Sequence, residues 1–322
     1  MSYAQARWIS SDAIPVIDIS GLRDGGAALQ GVAAEMRDAA ESTGFFYVRG
    51  HGVPQAQIDG VFDCATRFFS APMETKRTVS INAWHRGFLH AGAAKMYAGA
   101  KPDLKESFVW GLDTTEGPAP EAGIPPNRWP DFVPEMRQRL RAYLTACNDV
   151  GWQLLRAFAT GIGAPADTFV RHISRPISRA SLIYYPPQSA TAGAEQFGVA
   201  PHTDYGCLTL LYQNEIGGLQ VQAADGEWVT AHPIPGTFVV NVGDLLARWT
   251  NDRFKSTPHR VVNQSGRERF SAAVFVDPDA DTVVEPVVRP GETSRYDAVT
   301  CSDYIRSRLD AAFAYRKAAA SG

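Results

Sequence analysis

Apolar and polar positions along this 322-residue chain follow mixed strand and helix rhythms up to about residue 177 and short strand-like runs after it. Ile14 to Ile19 (IPVIDI) alternates and is β-branched, which predicts a strand, and Ala27 to Ser42 carries Ala, Met, Glu and Arg at helical spacing. Gly44 ends that helix, and GFFYVRG (Gly44 to Gly50) reads as a second strand. Pro54 opens another helix, with Ile58, Val61, Phe62, Ala65, Phe68 and Phe69 on one face. From Asn82 to Pro134 the texture turns to Gly, Pro and Trp with little periodicity and reads as a long irregular connection. Helical period returns over Pro134 to Thr160, where Met136, Leu140, Tyr143, Leu144, Cys147, Val150, Leu154 and Leu155 recur at steps of three and four.

Past Ile177 the pattern becomes short apolar runs between turn residues: SLIYYP, LTLLYQ, GLQVQ, EWVTAHPI, TFVVNVG, TPHRVVN, RFSAAVFVDP and TVVEPV. DGEW (Asp225 to Trp228) and NQSGRE (Asn263 to Glu268) read as hairpin turns. Runs of this length and spacing predict a double-sheet jelly roll or a closed barrel. With no repeat, low-complexity tract or linker, the expectation is one mainly β unit with flanking helices over 1–322. Residues 1–176 wrap it, 177–300 form the jelly-roll core and 301–322 form a C-terminal helix.

Composition narrows the partners. The chain is 45% hydrophobic and 20% charged with a formal net charge of -3, and no Lys/Arg run offers a footprint for nucleic acid or a membrane surface. The N-terminus lacks a signal-peptide pattern, and no apolar stretch of about 18 residues is present to span a bilayer. The expectation is a cytoplasmic protein, monomer or homodimer, acting on a small molecule. Cys64, Cys147, Cys207 and Cys301 lie far apart and read as reduced, buried thiols.

Candidate chemistry centres on PHTDYG, where His202 and Asp204 stand two residues apart before LTLLYQ. On a strand, positions i and i+2 share a face, so an imidazole and a carboxylate reach one point inside the barrel. His259 in TPHRVV supplies a third ligand from another strand. Two histidines and one carboxylate leave positions open for oxygen and substrate, as in non-haem iron(II) oxygenases. On the next strand Arg269 and Ser271 in RFS share a face, and a planar guanidinium beside a hydroxyl suits a carboxylate.

The chain resembles the isopenicillin N synthase-like family of iron(II)- and 2-oxoglutarate-dependent oxygenases. The resemblance runs from IPVIDIS and GFFYVRGHGVP through DLKESFVWG and PHTDYGCLTLLYQNEIGGLQVQ to GTFVVNVGDLLARWTNDRFKSTPHRVV and RERFSAAVFVDPD. It implies a double-stranded β-helix core and an Fe(II) site at His202, Asp204 and His259, with O2 and 2-oxoglutarate as co-substrates. It also implies that Arg269 and Ser271 hold the co-substrate's far carboxylate, joined by Tyr185 in LIYYPP. Some members carry asparagine two residues before that tyrosine, where this chain has Ile183. Phe275 and Asp277, further along the strand of Ser271, and Phe88 between His85 and His90 match family positions at the substrate pocket.

His51, His172 and His232 have no partner at ligand spacing and are set aside, Trp249 and Asn251 read as turn packing, and NVGD (Asn241 to Asp244) reads as a tight turn through Gly243. Three rival readings stay open at this point: a 2-oxoglutarate-independent iron oxidase of the same fold, a zinc hydrolase on the same three ligands, and a non-enzymatic β-barrel binding protein.

Overall fold

The computed structural model describes residues 14–23, 26–93, 101–113, 125–171, 173–188 and 196–313. Strand β1 (Val16–Asp18) pairs in parallel with β2 (Phe45–Arg49) across helix α1 (Gly26–Ser42). Helix α1 stops where its sequence says it should. The N–H groups of Thr43 and Gly44 both donate to the Ala39 carbonyl, at 2.9 and 3.0 Å, and Gly44 turns the chain at φ 69°. A Cβ on Gly44 would lie 2.0 Å from the Lys255 carbonyl oxygen, so both the backbone angle and the close approach require glycine.

Helix α2 (Gln55–Phe69) buries Ile58, Val61, Ala65, Phe68 and Phe69, while Phe62 is only half-buried; the short α3 (Met73–Arg77) follows. The stretch expected to be an irregular connection holds two antiparallel strands, β3 (Gly87–Leu89) and β4 (Glu106–Gly111). Every residue of both is buried, and a strand covered on both faces carries no inside-outside alternation to betray it. Helix α4 (Met136–Gly161) buries the predicted stripe and packs against α1, α2 and the back of the main sheet.

The core strands are β5 (Arg179–Tyr185), β6 (Val199–His202), β7 (Leu208–Gln213), β8 (Leu219–Gln222), β9 (Trp228–Ala231), β10 (Phe238–Val242), β11 (His259–Val261) and β12 (Arg269–Val276), with helix α5 (Asp244–Trp249) after β10. They form two facing sheets, β1-β2-β10-β7-β12-β5-β4-β3 and β6-β11-β8-β9. This is the double-stranded β-helix, mainly β with flanking helices. N-terminal strands extend its larger sheet at both edges, a more intimate arrangement than wrapping alone.

Two turn readings part company. DGEW does join the hairpin β8–β9. NQSGRE does not make a hairpin, because β11 pairs with β6 and β8 while β12 pairs with β5 and β7 in the other sheet. Local turn chemistry is the same for a hairpin and for a crossover between stacked sheets. The last run, TVVEPV, gives only Val283–Val284, paired outside both main sheets.

Alternation along the larger sheet sorts its side chains. Phe270, Ala272, Val274 and Val276 of β12 face the helices, whereas Ala273 and Phe275 join Ile183, Tyr185, Leu211 and Val239 between the sheets. The inter-sheet side also receives Arg269, Ser271, Gln213, Thr209 and Asn241, each in phase with the inward positions of its strand. Helix α6 (Cys301–Ala312) is the expected C-terminal helix, its first turn capped by Thr300, whose hydroxyl accepts from the Asp303 N–H at 3.2 Å. All four cysteines are free and buried. Among the described residues no helix is long and apolar enough to cross a membrane.

Candidate active site

His202 and Asp204 do not share a strand. His202 is the last residue of β6 in the smaller sheet, and Asp204 lies in the crossover that carries the chain to β7 in the larger one. His259 opens β11 directly opposite His202 in the register. The crossover therefore brings the carboxylate round to the two imidazoles: His202 Nε2 lies 3.8 Å from Asp204 Oδ1 and His259 Nε2 lies 3.7 Å from Asp204 Oδ2. The three ligating atoms lie within 4.8 Å of one another, and no other metal-competent group of three is present among the described residues.

The surroundings fix each ligand. His202 Nδ1 meets the Ala200 carbonyl at 2.8 Å and His259 Nδ1 meets the Thr257 carbonyl at 3.2 Å, which leaves both Nε2 atoms for a metal. Phe45 packs edge-on to the His259 ring at 5.2 Å. Asp204 Oδ2 accepts from Thr209 Oγ1 at 2.6 Å and from Asn241 Nδ2 at 2.8 Å. Burial pushes the His202 pKa well below its ordinary value and the neighbouring His259 adds to this, so the ring is neutral, the form that ligates metal. Burial alone would raise the Asp204 pKa, but the facing imidazoles and the two hydrogen bonds outweigh it and hold the carboxyl ionised.

Asn241 carries more than the tight turn read from NVGD. Gly243, its near neighbour, lies so close to the crossover that a Cβ would sit 2.2 Å from the Gly206 carbonyl oxygen, and Asp244 N–H donates to the Asp204 carbonyl at 2.7 Å. Replacing Asn241 with alanine should weaken metal binding by about 10–100-fold, as loss of an outer-shell partner does, with little loss of melting temperature; iron titration of the purified variant checks this. An unchanged affinity would leave Thr209 as the sole support that matters.

On the same inner wall sits Arg269, fully buried. Its Nε donates to the Gly217 carbonyl, Nη2 to Gln213 Oε1 at 3.2 Å and Nη1 to Ser271 Oγ at 3.4 Å, and the Tyr185 ring lies 4.4 Å from the guanidinium carbon. No carboxylate among the described residues pairs with it. Burial depresses its pKa, which measures how costly that charge is where it stands. A buried guanidinium without a counter-ion fits an anion arriving from outside. Ile183, opposite Ser271 on β5, adds an apolar side chain to this wall.

Beyond the triad opens a cavity of about 100 Å³, walled among others by His85, Lys105, Arg179, Tyr205, Phe275 and Phe313. Of the pocket candidates, the structure puts Phe275 and His85 in this wall. Phe88 is excluded from it: strand alternation turns its ring into the helix-side core, 5.7 Å from Phe68. His90 is exposed, its Nδ1 on the Ala91 carbonyl at 2.9 Å. Asp277 lies one residue past the end of β12 and is wholly buried, accepting from the Cys207 N–H at 2.9 Å, so it braces the crossover and does not line the cavity. His51 packs on Phe238 and His232 is exposed beyond β9, while His172 lies outside the described residues. Lys105, Arg179 and Tyr205 carried no metal-like spacing and went unremarked in the sequence. Thr209, Gln213 and Asn241 did leave a signal, a polar residue at an inward position of an otherwise apolar strand.

The chain is similar to known oxygenases. Residues 177–278 match the 2OG-Fe(II) oxygenase superfamily, and residues 14–132 match the model described as non-haem dioxygenase in morphine synthesis N-terminal. The chain is 32% identical to the 2-oxoglutarate-Fe(II) type oxidoreductase hxnY of Emericella nidulans, over 94% of this chain and 92% of that protein. It is 33% identical to homoarginine-6-hydroxylase 2-ODD-233 of Oryza sativa subsp. japonica, over 92% and 96% of the two chains. Among solved structures it superposes on a full-length Neurospora crassa protein crystallised in complex with alpha-KG and thymine, with a TM-score of 0.84, 29% identity, and coverage of 94% of this chain and 98% of that one.

Proposed function

The chain belongs to the 2OG-Fe(II) oxygenase superfamily, and we propose that His202, Asp204 and His259 hold its iron while Arg269, Ser271 and Tyr185 hold the far carboxylate of 2-oxoglutarate. The protein is an iron(II)- and 2-oxoglutarate-dependent dioxygenase of a small molecule. When bound, the iron supplies oxygen activation: 2-oxoglutarate and O2 give succinate and CO2, and the second oxygen atom converts substrate R–H to R–OH. Hydroxylation is the outcome favoured here, in keeping with the relative named for it.

The chain's own residues do the rest. Arg269 binds the co-substrate as a planar two-donor fork, and Ser271 and Tyr185 restrict where its carboxylate settles. Thr209 and Asn241 keep the Asp204 carboxylate turned to the imidazoles, and the apolar inner wall excludes water. Strands β1–β4 complete the same sheet that carries the clamp, which supports one catalytic unit.

One observation carries the assignment: a fully buried arginine, without a counter-ion among the described residues, on the wall that also supports the triad. A zinc hydrolase has no use for that charge. The corresponding test is metal exchange. Chelated protein should recover 2-oxoglutarate-dependent succinate release with iron(II) and not with zinc(II); recovery of any activity by zinc alone would overturn the reading.

A further inference from the structure

Two cations wall the cavity, Arg179 and Lys105, and Arg179 has donors it does not spend. Arg179, first residue of β5, is 7% exposed and shares the inner face of that strand with Ser181, Ile183 and Tyr185. Its guanidinium carbon lies 5.1 Å from the centre of the Phe275 ring, and its nearest carboxylate oxygen, Asp277 Oδ2, is 3.7 Å away, outside hydrogen-bonding range. Arg179 donates no side-chain hydrogen bond among the described residues, and Asp277 Oδ2 accepts none. Lys105, on another wall, pairs with Asp103 at 3.7 Å.

Among the described residues the one carboxylate lining this cavity is Asp204, and it is turned to the imidazoles and held by Thr209 and Asn241. The remaining charge in the wall is positive. The Arg179 guanidinium, paired with Asp277 only at 3.7 Å and making no side-chain hydrogen bond among the described residues, keeps its N–H donors for an incoming acceptor, most fully a carboxylate taken by two parallel N–H donors. Phe275 and Phe313 present apolar surface beside it.

We propose that the substrate is a small organic acid, its carboxylate seated on Arg179 and its carbon skeleton against Phe275 and Phe313, with Lys105 adding to the positive field. The inference rests on the oxygenase reading of the same cavity. Arg179 lies six positions from Tyr185 along β5, so this seat and the Arg269 clamp are at opposite ends of the strand and take different anions.

The test compares aryl and short-chain carboxylic acids with their primary amides, benzoic acid with benzamide and phenylacetic acid with phenylacetamide among the pairs. Each is offered to iron(II)-loaded protein with 2-oxoglutarate, and succinate release above the no-substrate rate is read for wild type, Arg179→Lys and Arg179→Gln. At least one acid should stimulate wild type where its amide does not, and its half-saturating concentration should rise at least about thirtyfold in Arg179→Gln, and less in Arg179→Lys. Should Arg179→Gln fail to fold, the wild-type contrast between acids and amides decides. Amides matching acids, no response to any acid, or a folded Arg179→Gln with unchanged half-saturation each overturns the proposal and leaves Arg179 as the buried partner of Asp277. A wild type that shows no 2-oxoglutarate absorption band is a different failure, that of the oxygenase reading, and removes the basis of this one.

Discussion

Replacing Arg269 with glutamine should weaken 2-oxoglutarate binding by about 2–5 kcal/mol, roughly thirty- to several-thousandfold, while iron affinity stays where it is. Glutamine keeps some reach toward Gln213 and the Gly217 carbonyl but loses the charge and the two-donor fork that a carboxylate needs. The effect on the free protein should run the other way. Arg269 is fully buried and has no ion pair among the described residues, so its removal relieves a desolvated charge and the ligand-free melting temperature should hold or rise. What disappears is the rise in melting temperature that wild type shows on adding 2-oxoglutarate, because only a ligand that binds the folded state shifts it. Thermal melts with and without 2-oxoglutarate, on both proteins, read the two effects separately. A variant that melts far lower without ligand yet keeps the ligand-induced rise would make Arg269 a structural residue.

The second large effect falls on the triad. Alanine at His202, Asp204 or His259 should each reduce iron affinity by more than the roughly 10–100-fold that loss of an outer partner costs. Asp204→Ala should be the most damaging to its surroundings, because it strands the Thr209 hydroxyl and the Asn241 amide in a buried site with no acceptor. His202→Ala and His259→Ala leave only backbone carbonyls without a partner, so their melting temperatures should fall less. His232→Ala, on an exposed position beyond β9, serves as control and should bind iron as wild type does. Wild-type iron affinity in any of the three ligand variants would remove that residue from the site.

Much of the fold and the site was legible in the residues, and the failures share a cause. Period-two runs located the core strands and the helical stripes located α2 and α4, because in each case one face is dry and the other is not. Strands β3 and β4 escaped because both faces are covered. His202 and Asp204 do come together, but not as the sequence suggested. Two residues on one strand were expected, whereas a crossover between sheets does the work, with Gly206 and Gly243 allowing the backbones to touch. NQSGRE erred in the same way, since turn residues announce a reversal without saying in which sheet the chain continues. Phe88, His90 and Asp277 were chosen by position in a family pattern, and a side chain's facing near a strand end is set by packing that no linear pattern records. Arg179 was invisible for the opposite reason: its interest lies in hydrogen bonds it does not make among the described residues, a property only of the folded molecule.

The most direct measurement is an anaerobic titration of iron(II)-loaded wild-type protein with 2-oxoglutarate, followed by visible absorption, and then by succinate assay on admitting air. A charge-transfer band that saturates with 2-oxoglutarate, is lost on chelation, and is followed by succinate is the expected result. Oxygen consumption with a substrate that binds the iron, with no band and no succinate, would mean that Arg269 holds the substrate's own anion and that the protein is an oxidase.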